Sequence, residues 1–214
     1  MAQSLKPHVR EALLEAMRGL LVEVGYASTT MAAVAARAGV ATGNVYRYFP
    51  SKEAMFDAAI PAALARDLAR RVRARVLSLG AARDVDALPP GSSYARASEE
   101  LFEAVMGARL AVAFLLLGAA GTPHASFAPR LVADLVRLAR AYARAAYGLR
   151  LDGPQVFVLR RVYTSYVASL GEALATYTGE RPLRAVTSDL SRYHLAGLRA
   201  LFAAHEETPP KEAS

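Results

Sequence analysis

The chain has 214 residues, of which 54% are hydrophobic, and it contains 26 Lys and Arg, 19 Asp and Glu and no cysteine. This length is enough for one medium domain or for a small domain joined to a larger one. The lack of cysteine excludes disulfides, thiol nucleophiles and zinc sites that require thiolate ligands. The net charge of +7 suits a nucleic-acid partner, but residues 1–60 hold six basic and five acidic side chains, so charge alone identifies none.

The apolar patterning gives no sign of export or of a membrane partner. The N-terminus has no apolar stretch behind its positive charges, and the longest apolar run, residues 110–121, is shorter than the roughly 20 residues that cross a bilayer. We therefore expect a cytoplasmic protein. Frequent alanine, where a sheet protein would use valine or isoleucine, favours an all-α fold.

Helix boundaries in the first part of the chain are marked by N-cap residues, glycines and prolines. Apolar residues at steps of three and four predict a first helix that begins at Pro7 and ends at Gly25. Two short helices are then predicted over residues 31–38 and 42–49. Ser51 is the expected cap of a long helix through residue 79, with Pro61 as a candidate kink.

The remainder of the chain is predicted to form a second, all-helical unit. Residues 80–93 contain two prolines and two glycines and are the clearest linker. Five further helices are predicted, over residues 94–106, 109–120, 127–147, 154–177 and 183–204. The tail, residues 206–214, has two prolines and mixed charge, and we expect it to be disordered.

Residues 29–49 meet the steric requirements of a helix-turn-helix. Two helices that cross closely need a very small residue at the contact, which Ala35 supplies, and a turn residue that tolerates positive φ, which Gly39 supplies. Val34, Val40 and Val45 are spaced to point inward from the two helices. The pattern predicts a nucleic-acid-reading head.

The outward face of the second of these helices has the chemistry to contact a base-pair edge. Thr42, Gly43 and Asn44 are small or hydrogen-bonding, so the backbone can approach the major groove closely. Arg47 suits a guanine edge or a phosphate. Tyr46, Tyr48 and Lys52 are long enough to reach flanking phosphates, although either tyrosine could instead serve mainly in packing.

The same segment carries an extended motif. Thr-Thr is followed by Ala-x-x-Ala-Gly-Val and then by Thr-Gly-x-Val-Tyr-x-Tyr-Phe-Pro-Ser-Lys-Glu-Ala-Met-Phe. Between residues 13 and 60 the sequence resembles the DNA-binding domain of the TetR/AcrR family of repressors. The resemblance implies a three-helix head, a fourth helix that links it to an all-α regulatory domain, and a homodimer on a palindromic DNA operator. Ala41 stands where serine is frequent in the family, so one contact is missing.

By position, the resemblance implies a set of DNA-binding residues in the head. These are Thr30, Thr42, Gly43, Asn44, Tyr46, Arg47, Tyr48 and Lys52. We accordingly divide the chain into a helix-turn-helix DNA-binding domain (1–52), an effector-binding and dimerisation domain (53–205) and the tail (206–214). The expected function is a transcriptional repressor that a small-molecule effector releases from its operator.

A repressor that responds to a signal couples a pocket in the effector-binding domain (53–205, here called the body) to the spacing of the two heads of the dimer. The candidate effector-binding residues are Arg109, Phe114, Phe127, Tyr142, Arg160, Tyr163 and Tyr166. Each could equally be core or solvated surface, and a small lipophilic or anionic effector, such as an acyl-CoA or an aromatic compound, stays open. We expect no cofactor and no metal site.

Two further stretches of the body have distinctive patterns, one of charge and one of apolar residues. Arginines at 66, 70, 71, 73 and 75 form a basic patch that would attract DNA or a phosphate-bearing ligand, or simply be a solvated helix face. The last two long helices carry wide apolar bands with small residues, among them Gly171 and Gly197, which predicts that they pair across the two-fold axis of a dimer.

No enzyme motif is present: the sequence lacks Gly-x-Ser-x-Gly, a phosphate-binding loop, a nucleotide fingerprint and His-Glu-x-x-His. We therefore expect no enzymatic activity. The alternative of another class is a helical ligand-binding or adaptor protein without DNA binding. That protein would have no need of the small, polar turn at residues 42–44.

Overall fold

The computed structural model describes residues 6–85 and 87–206, and these ranges contain helices and no strand. The all-α expectation is confirmed. None of the helices in these ranges is long and apolar enough to cross a membrane. The tail expected to be disordered lies outside the described residues, apart from Glu206. The helices are α1 (Pro7–Ser28), α2 (Met31–Arg37), α3 (Thr42–Val45), α4 (Lys52–Ala59), α5 (Ala62–Leu77), α6 (Ser93–Gly107), α7 (Arg109–Leu116), α8 (Phe127–Tyr147), α9 (Gly153–Thr176) and α10 (Glu180–Glu206).

Helix α1 is the framework of the head. Its apolar stripe, which includes Leu13, Met17 and Leu21, is buried against α2 and α4. The predicted end at Gly25 is the point where the helical conformation is interrupted (φ 75°, ψ 170°), and a further turn of helix then continues to Ser28. The hydroxyl of Thr29 donates a hydrogen bond to the Gly25 carbonyl at 2.8 Å and fixes this bend.

The long helix predicted after Ser51 is two helices. Helix α4 ends at Ala59 and α5 begins at Ala62, so the candidate kink is a complete break. Proline lacks the amide hydrogen that a continuous helix needs and forces the preceding residue out of the helical region. Ile60 accordingly adopts φ −127° and ψ 70° while remaining fully buried.

Helix α7 is the centre of the body, and residues 111–116 of it are all buried. It packs most closely on α9, where Gly171 faces it. A Cβ atom at this glycine would lie 3.0 Å from Leu117 Cγ, so a larger residue would push the helices apart. Gly171 therefore serves the interior of the chain and not the dimer face for which it was predicted. Helix α7 ends four residues before the predicted position 120, because Gly118 and Ala119 both have positive φ.

Candidate nucleic-acid interface and ligand cavity

The helix-turn-helix forms as its sequence predicts. The Thr30 hydroxyl accepts a hydrogen bond from the Ala33 amide at 3.1 Å and caps α2. Gly39 has φ +66°, and the chain turns there so that the Val40 amide bonds the Ala35 carbonyl at 2.9 Å. Ala35 and Val45 are buried at the crossing of α2 and α3. The turn is therefore held by a tiny residue, a left-handed glycine and a cap.

The surface that this framework presents is small and polar. Thr42, Gly43 and Arg47 are exposed, and Asn44 is half-buried. Among the described residues, nothing beyond the chain neighbours and the backbone of α3 lies within 4 Å of the place where a Gly43 side chain would begin, so the backbone is open to a partner there. Helix α3 ends at Val45, earlier than the predicted residue 49, and a turn continues it through hydrogen bonds to the Val45 carbonyl.

Tyr46, Tyr48 and Lys52 have different surroundings within the head. Tyr46 is 53% exposed and is not packing. The hydroxyl of Tyr48 accepts a hydrogen bond from the Lys6 amide at 3.2 Å. The Lys52 ammonium donates to the Tyr26 carbonyl at 2.5 Å and lies 4.2 Å from the centre of the Tyr26 ring. Lys52 thus faces the end of α1, not the surface formed by α3.

The head and the body meet at the break between α4 and α5. Arg18 donates from Nε to the Ala59 carbonyl at 3.2 Å, and His124 Nε2 lies 3.1 Å from the Ile60 carbonyl. Phe56 is buried between Tyr26 of the head, 4.9 Å away between ring centres, and Phe114 of α7, 6.0 Å away. This set of contacts is here called the head–body joint.

The body encloses a cavity of about 740 Å³, a size suited to a drug-sized molecule. Its walls come from helices α5 to α10 and from the α5–α6 connection, and most of them are aliphatic side chains, such as Leu68, Val72, Leu101, Leu135 and Leu170. The body can therefore surround a largely apolar ligand.

The structure brings three of the predicted effector-binding residues to this cavity and leaves four elsewhere. Tyr142, Tyr163 and Tyr166 line it. The Tyr142 hydroxyl donates to the Ala82 carbonyl at 2.5 Å, and burial raises the pKa of Tyr142 to about 12. Tyr142 lies on the inward face of α8, and Tyr163 and Tyr166 lie on the inward face of α9.

None of the other four predicted residues lines the cavity. The Arg109 guanidinium donates to the Leu174 and Tyr177 carbonyls at the end of α9. Phe114 belongs to the head–body joint, and Phe127 packs half-buried on the core at the start of α8. Arg160 is exposed on the outer side of α9.

The cavity also holds polar residues that the candidate set omitted. Among the omitted residues are Arg75, Tyr94, Ser98, Ser191 and His194, and together with the predicted Tyr163 and Tyr166 they form what is here called the polar cluster. Arg75 belongs to the run of arginines predicted as a basic patch. It lies at helical spacing from Leu68 and Val72, and all three residues line the cavity from the same face of α5. His194 follows Leu183, Thr187 and Ser191 at helical steps on α10 in the same way. This spacing is the signal that could have found them.

Contacts within the polar cluster are short. Arg75 donates from Nε to the Ser98 hydroxyl at 2.9 Å and from Nη2 to the Tyr94 hydroxyl. The Tyr166 and Ser191 hydroxyls are 2.8 Å apart, and the His194 ring stacks on Tyr166 with ring centres 4.1 Å apart. Burial, followed by the positive charge of Arg75, lowers the pKa of His194 to about 4, so the imidazole is neutral at pH 7.

The outer faces of α9 and α10 expose large apolar side chains. Tyr193 is 83% and Phe157 65% exposed, and Val158 and Val162 are more than a third exposed. By contrast, Leu159 and Val167, which belong to the apolar band of α9, are buried inside the chain. The bands are thus divided between the core and an open apolar face.

No group of three or more His, Asp or Glu side chains within residues 6–85 and 87–206 is arranged to hold a metal ion.

Comparisons with known proteins point to one family. The family model described as "Bacterial regulatory proteins, tetR family" matches residues 13–59. The HTH-type transcriptional regulator BetI of Klebsiella pneumoniae is 34% identical over 92 residues, which are 43% of this chain and 42% of that protein. The HTH-type transcriptional repressor KstR of Rhodococcus jostii is 44% identical over 61 residues, 28% of this chain and 27% of that protein.

These matches span less than half the length of the curated relatives. The body is compared through solved structures. The ketosteroid transcriptional regulator KstR2 of Mycobacterium tuberculosis superposes with a TM-score of 0.54 and 21% identity over 91% of this chain and 96% of that one, which shows a shared fold. Residues 13–59 therefore match the tetR family of bacterial regulatory proteins, and the chain as a whole shares its fold with a transcriptional regulator of known structure.

Proposed function

We propose that the protein is a dimeric, sequence-specific transcriptional repressor that leaves a palindromic operator when a small molecule fills the body cavity. The observation that carries the proposal is the exposed turn at residues 42–47, which is polar and small on its outer side while Val45 is fully buried beneath it. A surface held in this way fits the major groove, since a rigid frame places donors and acceptors against base edges. The relatives named as regulators and repressors support the same reading of the head.

In this proposal the residues of the head divide by task. Asn44 pairs with an adenine edge, and Arg47 binds guanine or a phosphate. Phosphate contacts, which fix register without reading sequence, come from the other exposed or half-exposed positions of the set. These positions are Thr30, Thr42, Gly43, Tyr46 and Tyr48. Lys52 would have to leave the Tyr26 carbonyl before it could reach a phosphate.

A palindromic operator requires two heads, and the open apolar face supports a dimer. Phe157 on α9 and Tyr193 on α10 are exposed on two helices that pack against each other. A two-fold axis through this surface would pair it with itself and remove its apolar area from water.

Effector binding can reach the heads through helices that the cavity and the head–body joint share. Val112 and Leu116 of α7 line the cavity, while Phe114 of the same helix contacts Phe56. Helix α5 supplies several cavity residues and starts at the break where His124 and Arg18 hold α4. A ligand that moves either helix would change the angle of the head.

The test is DNA binding by the purified full-length protein. Genomic fragments that it retains would be sequenced, the shared site synthesised, and its affinity measured by fluorescence anisotropy over a range of salt. We expect a palindromic site, occupied by a dimer. The variant Arg47→Ala should lose about 1–3 kcal/mol of binding free energy on that site. Arg130→Ala, which removes the same charge from an exposed position of α8, is the matched control and should retain affinity.

Two results would contradict the proposal. One is retention of fragments with no common site and no effect of Arg47→Ala. The other is ligand binding in the body with no DNA binding under any salt condition, which would favour a helical ligand-binding or adaptor protein.

A further inference from the structure

The arginines around the cavity differ in how their charges are balanced. Five line it, and four of them pair with carboxylates: Arg83 with Glu206 at 2.8 Å, Arg184 with Glu99 at 2.7 Å, Arg192 with Asp189 at 3.7 Å and Arg199 with Asp84 at 3.5 Å. Arg75 is the exception. No carboxylate within residues 6–85 and 87–206 lies within ion-pair distance of it, and its partners are the neutral hydroxyls of Tyr94 and Ser98.

Within the described residues no ionised acid compensates the charge of Arg75, whose guanidinium lies 4.8 Å from the centre of the Tyr94 ring. Burial raises the pKa of Tyr163 and Tyr166, so both are neutral phenols at pH 7. His194 is neutral as well, because burial lowers its pKa. Arg75 is therefore the one charged side chain of the polar cluster, and it is half-buried in a wall that is mostly aliphatic. A half-buried cation of this kind is stabilised by an anion that brings its own apolar body.

Two sets of hydrogen-bonding atoms in the cluster are open to such an anion. A guanidinium has five donors, and Arg75 uses Nε and Nη2 while Nη1 makes no hydrogen bond to the described part of the chain. His194 is 8% exposed, lines the cavity, and its Nε2 has no hydrogen-bond partner within the same residues. A buried polar nitrogen without a partner is unfavourable unless a ligand supplies one.

We infer that the cavity binds an organic monocarboxylate with an apolar body, whose carboxylate is held by Arg75 and lies within reach of His194. The inference rests on the proposed function only in taking this cavity as the effector site. An Arg–carboxylate pair is short and directional, so it fixes one end of the ligand, and the aliphatic walls bury the rest.

A polyphosphate head group fits the cavity less well than a single carboxylate. Four of the five arginines already face a carboxylate of this chain, and Glu99 and Asp84 themselves line the cavity. These acidic groups would repel several negative charges. A free acid carries one charge and needs one unpaired arginine, which is what Arg75 offers.

The test measures ligand binding without DNA. The fluorescent fatty acid cis-parinaric acid would be bound to the full-length protein and then displaced by dodecanoate, by dodecanol or by dodecanoyl-CoA. We expect dodecanoate to bind at least about tenfold more tightly than dodecanol, because only the acid pairs with Arg75. In Arg75→Met this preference should fall to within about twofold, with dodecanol binding unchanged.

Two further variants make the result specific. Arg75→Lys keeps the charge and should retain most of the preference for the acid. Arg192→Met removes a cavity-lining arginine that already has a carboxylate partner, and it should bind dodecanoate like the wild type. Circular dichroism melting of Arg75→Met and Arg75→Lys would verify that both variants fold.

The inference is overturned if no probe binds, if acid and alcohol bind equally, or if dodecanoyl-CoA binds more tightly than the acid. These outcomes are independent of operator binding. A protein that binds its operator but no carboxylate would retain the proposed function and lose the inference, and the reverse result would do the opposite.

Discussion

The surface at residues 42–47, which we propose reads DNA, and the polar cluster of the cavity differ in how the chain builds them. The surface is one turn of consecutive residues, 42–47, over a frame whose key positions are Ala35, Gly39 and Val45. The polar cluster gathers side chains from α5, α6, α9 and α10. A local motif is therefore enough to specify the first region, whereas the second exists only when distant helices have packed.

The two regions also differ in charge. In the head, Arg37 is paired with Glu23 and Arg18 with Glu11. In the cavity wall, Arg75 lacks any such partner within the described part of the chain. A surface that binds a polyanion can leave its charges in water at little cost, but a half-buried charge in an apolar wall indicates a specific partner.

The largest effect should come from the residue that joins the two regions. Phe56→Ala removes a buried ring from the head–body joint, where it contacts Tyr26 and Phe114. We expect a loss of about 3–5 kcal/mol in the free energy of unfolding, because a large cavity replaces the ring. Urea denaturation measures it. The exposed Tyr46→Ala is the control and should change stability by less than about 0.5 kcal/mol.

The same variant tests whether the regions unfold together. If the head–body joint couples the head to the body, Phe56→Ala should show two unfolding steps where the wild type shows one. The variant lacks the ring that contacts Phe114 of α7, so the two parts could unfold separately. A single step with wild-type stability would mean that head and body are held by other contacts.

Acid should next weaken the body more than the head, because His194 is buried in neutral form. Its pKa is lowered from the model-compound value of 6.5 to about 4, so the unfolded chain binds a proton between these values and the folded chain does not. The stabilisation is fully present above pH 6.5 and is lost as pH falls toward 4. It amounts to as much as about 3 kcal/mol.

The measurement compares wild type with His194→Phe by urea denaturation at several pH values from 7 to 4. The phenylalanine keeps a ring against Tyr166 but cannot be protonated, so its stability should fall less steeply with acid. His8→Gln, which removes an exposed imidazole from α1, is the control. Identical slopes for wild type and His194→Phe would contradict the assignment.

The features that could be predicted from sequence are those set by a local motif, and the features that could not are those set by contacts between distant helices. Helix bounds in the body agree within a few residues, because Gly148, Pro154 and similar breakers act locally. Pro61 predicts an interruption from the sequence, but a proline either kinks a helix or ends it, and the sequence does not distinguish these two outcomes. Arg109 was predicted to bind the effector and Arg75 to lie in a basic patch. Spacing places Arg75 on the same stripe of α5 as Leu68 and Val72, but only the packing of the other helices shows that this stripe lines the cavity.

Within the head, the turn glycine should have a moderate effect on folding. Gly39→Val places a β-branched residue at φ +66° and should cost about 1–3 kcal/mol of stability. Gly43→Ala is the matched control, because Gly43 is helical and an added methyl group meets nothing within 4 Å. Thermal melting followed by circular dichroism distinguishes them. An unchanged melting curve for Gly39→Val would mean that the turn tolerates side chains.

The smallest expected effect separates residues that read DNA from residues that hold the head together. Lys52 donates to the Tyr26 carbonyl and lies over the Tyr26 ring, so Lys52→Met should lower stability by about 1 kcal/mol. Its operator affinity should keep the wild-type salt dependence, because no phosphate contact is lost. The opposite pattern, unchanged stability with a salt slope reduced by about one, would return Lys52 to the DNA-binding set that the family resemblance implies.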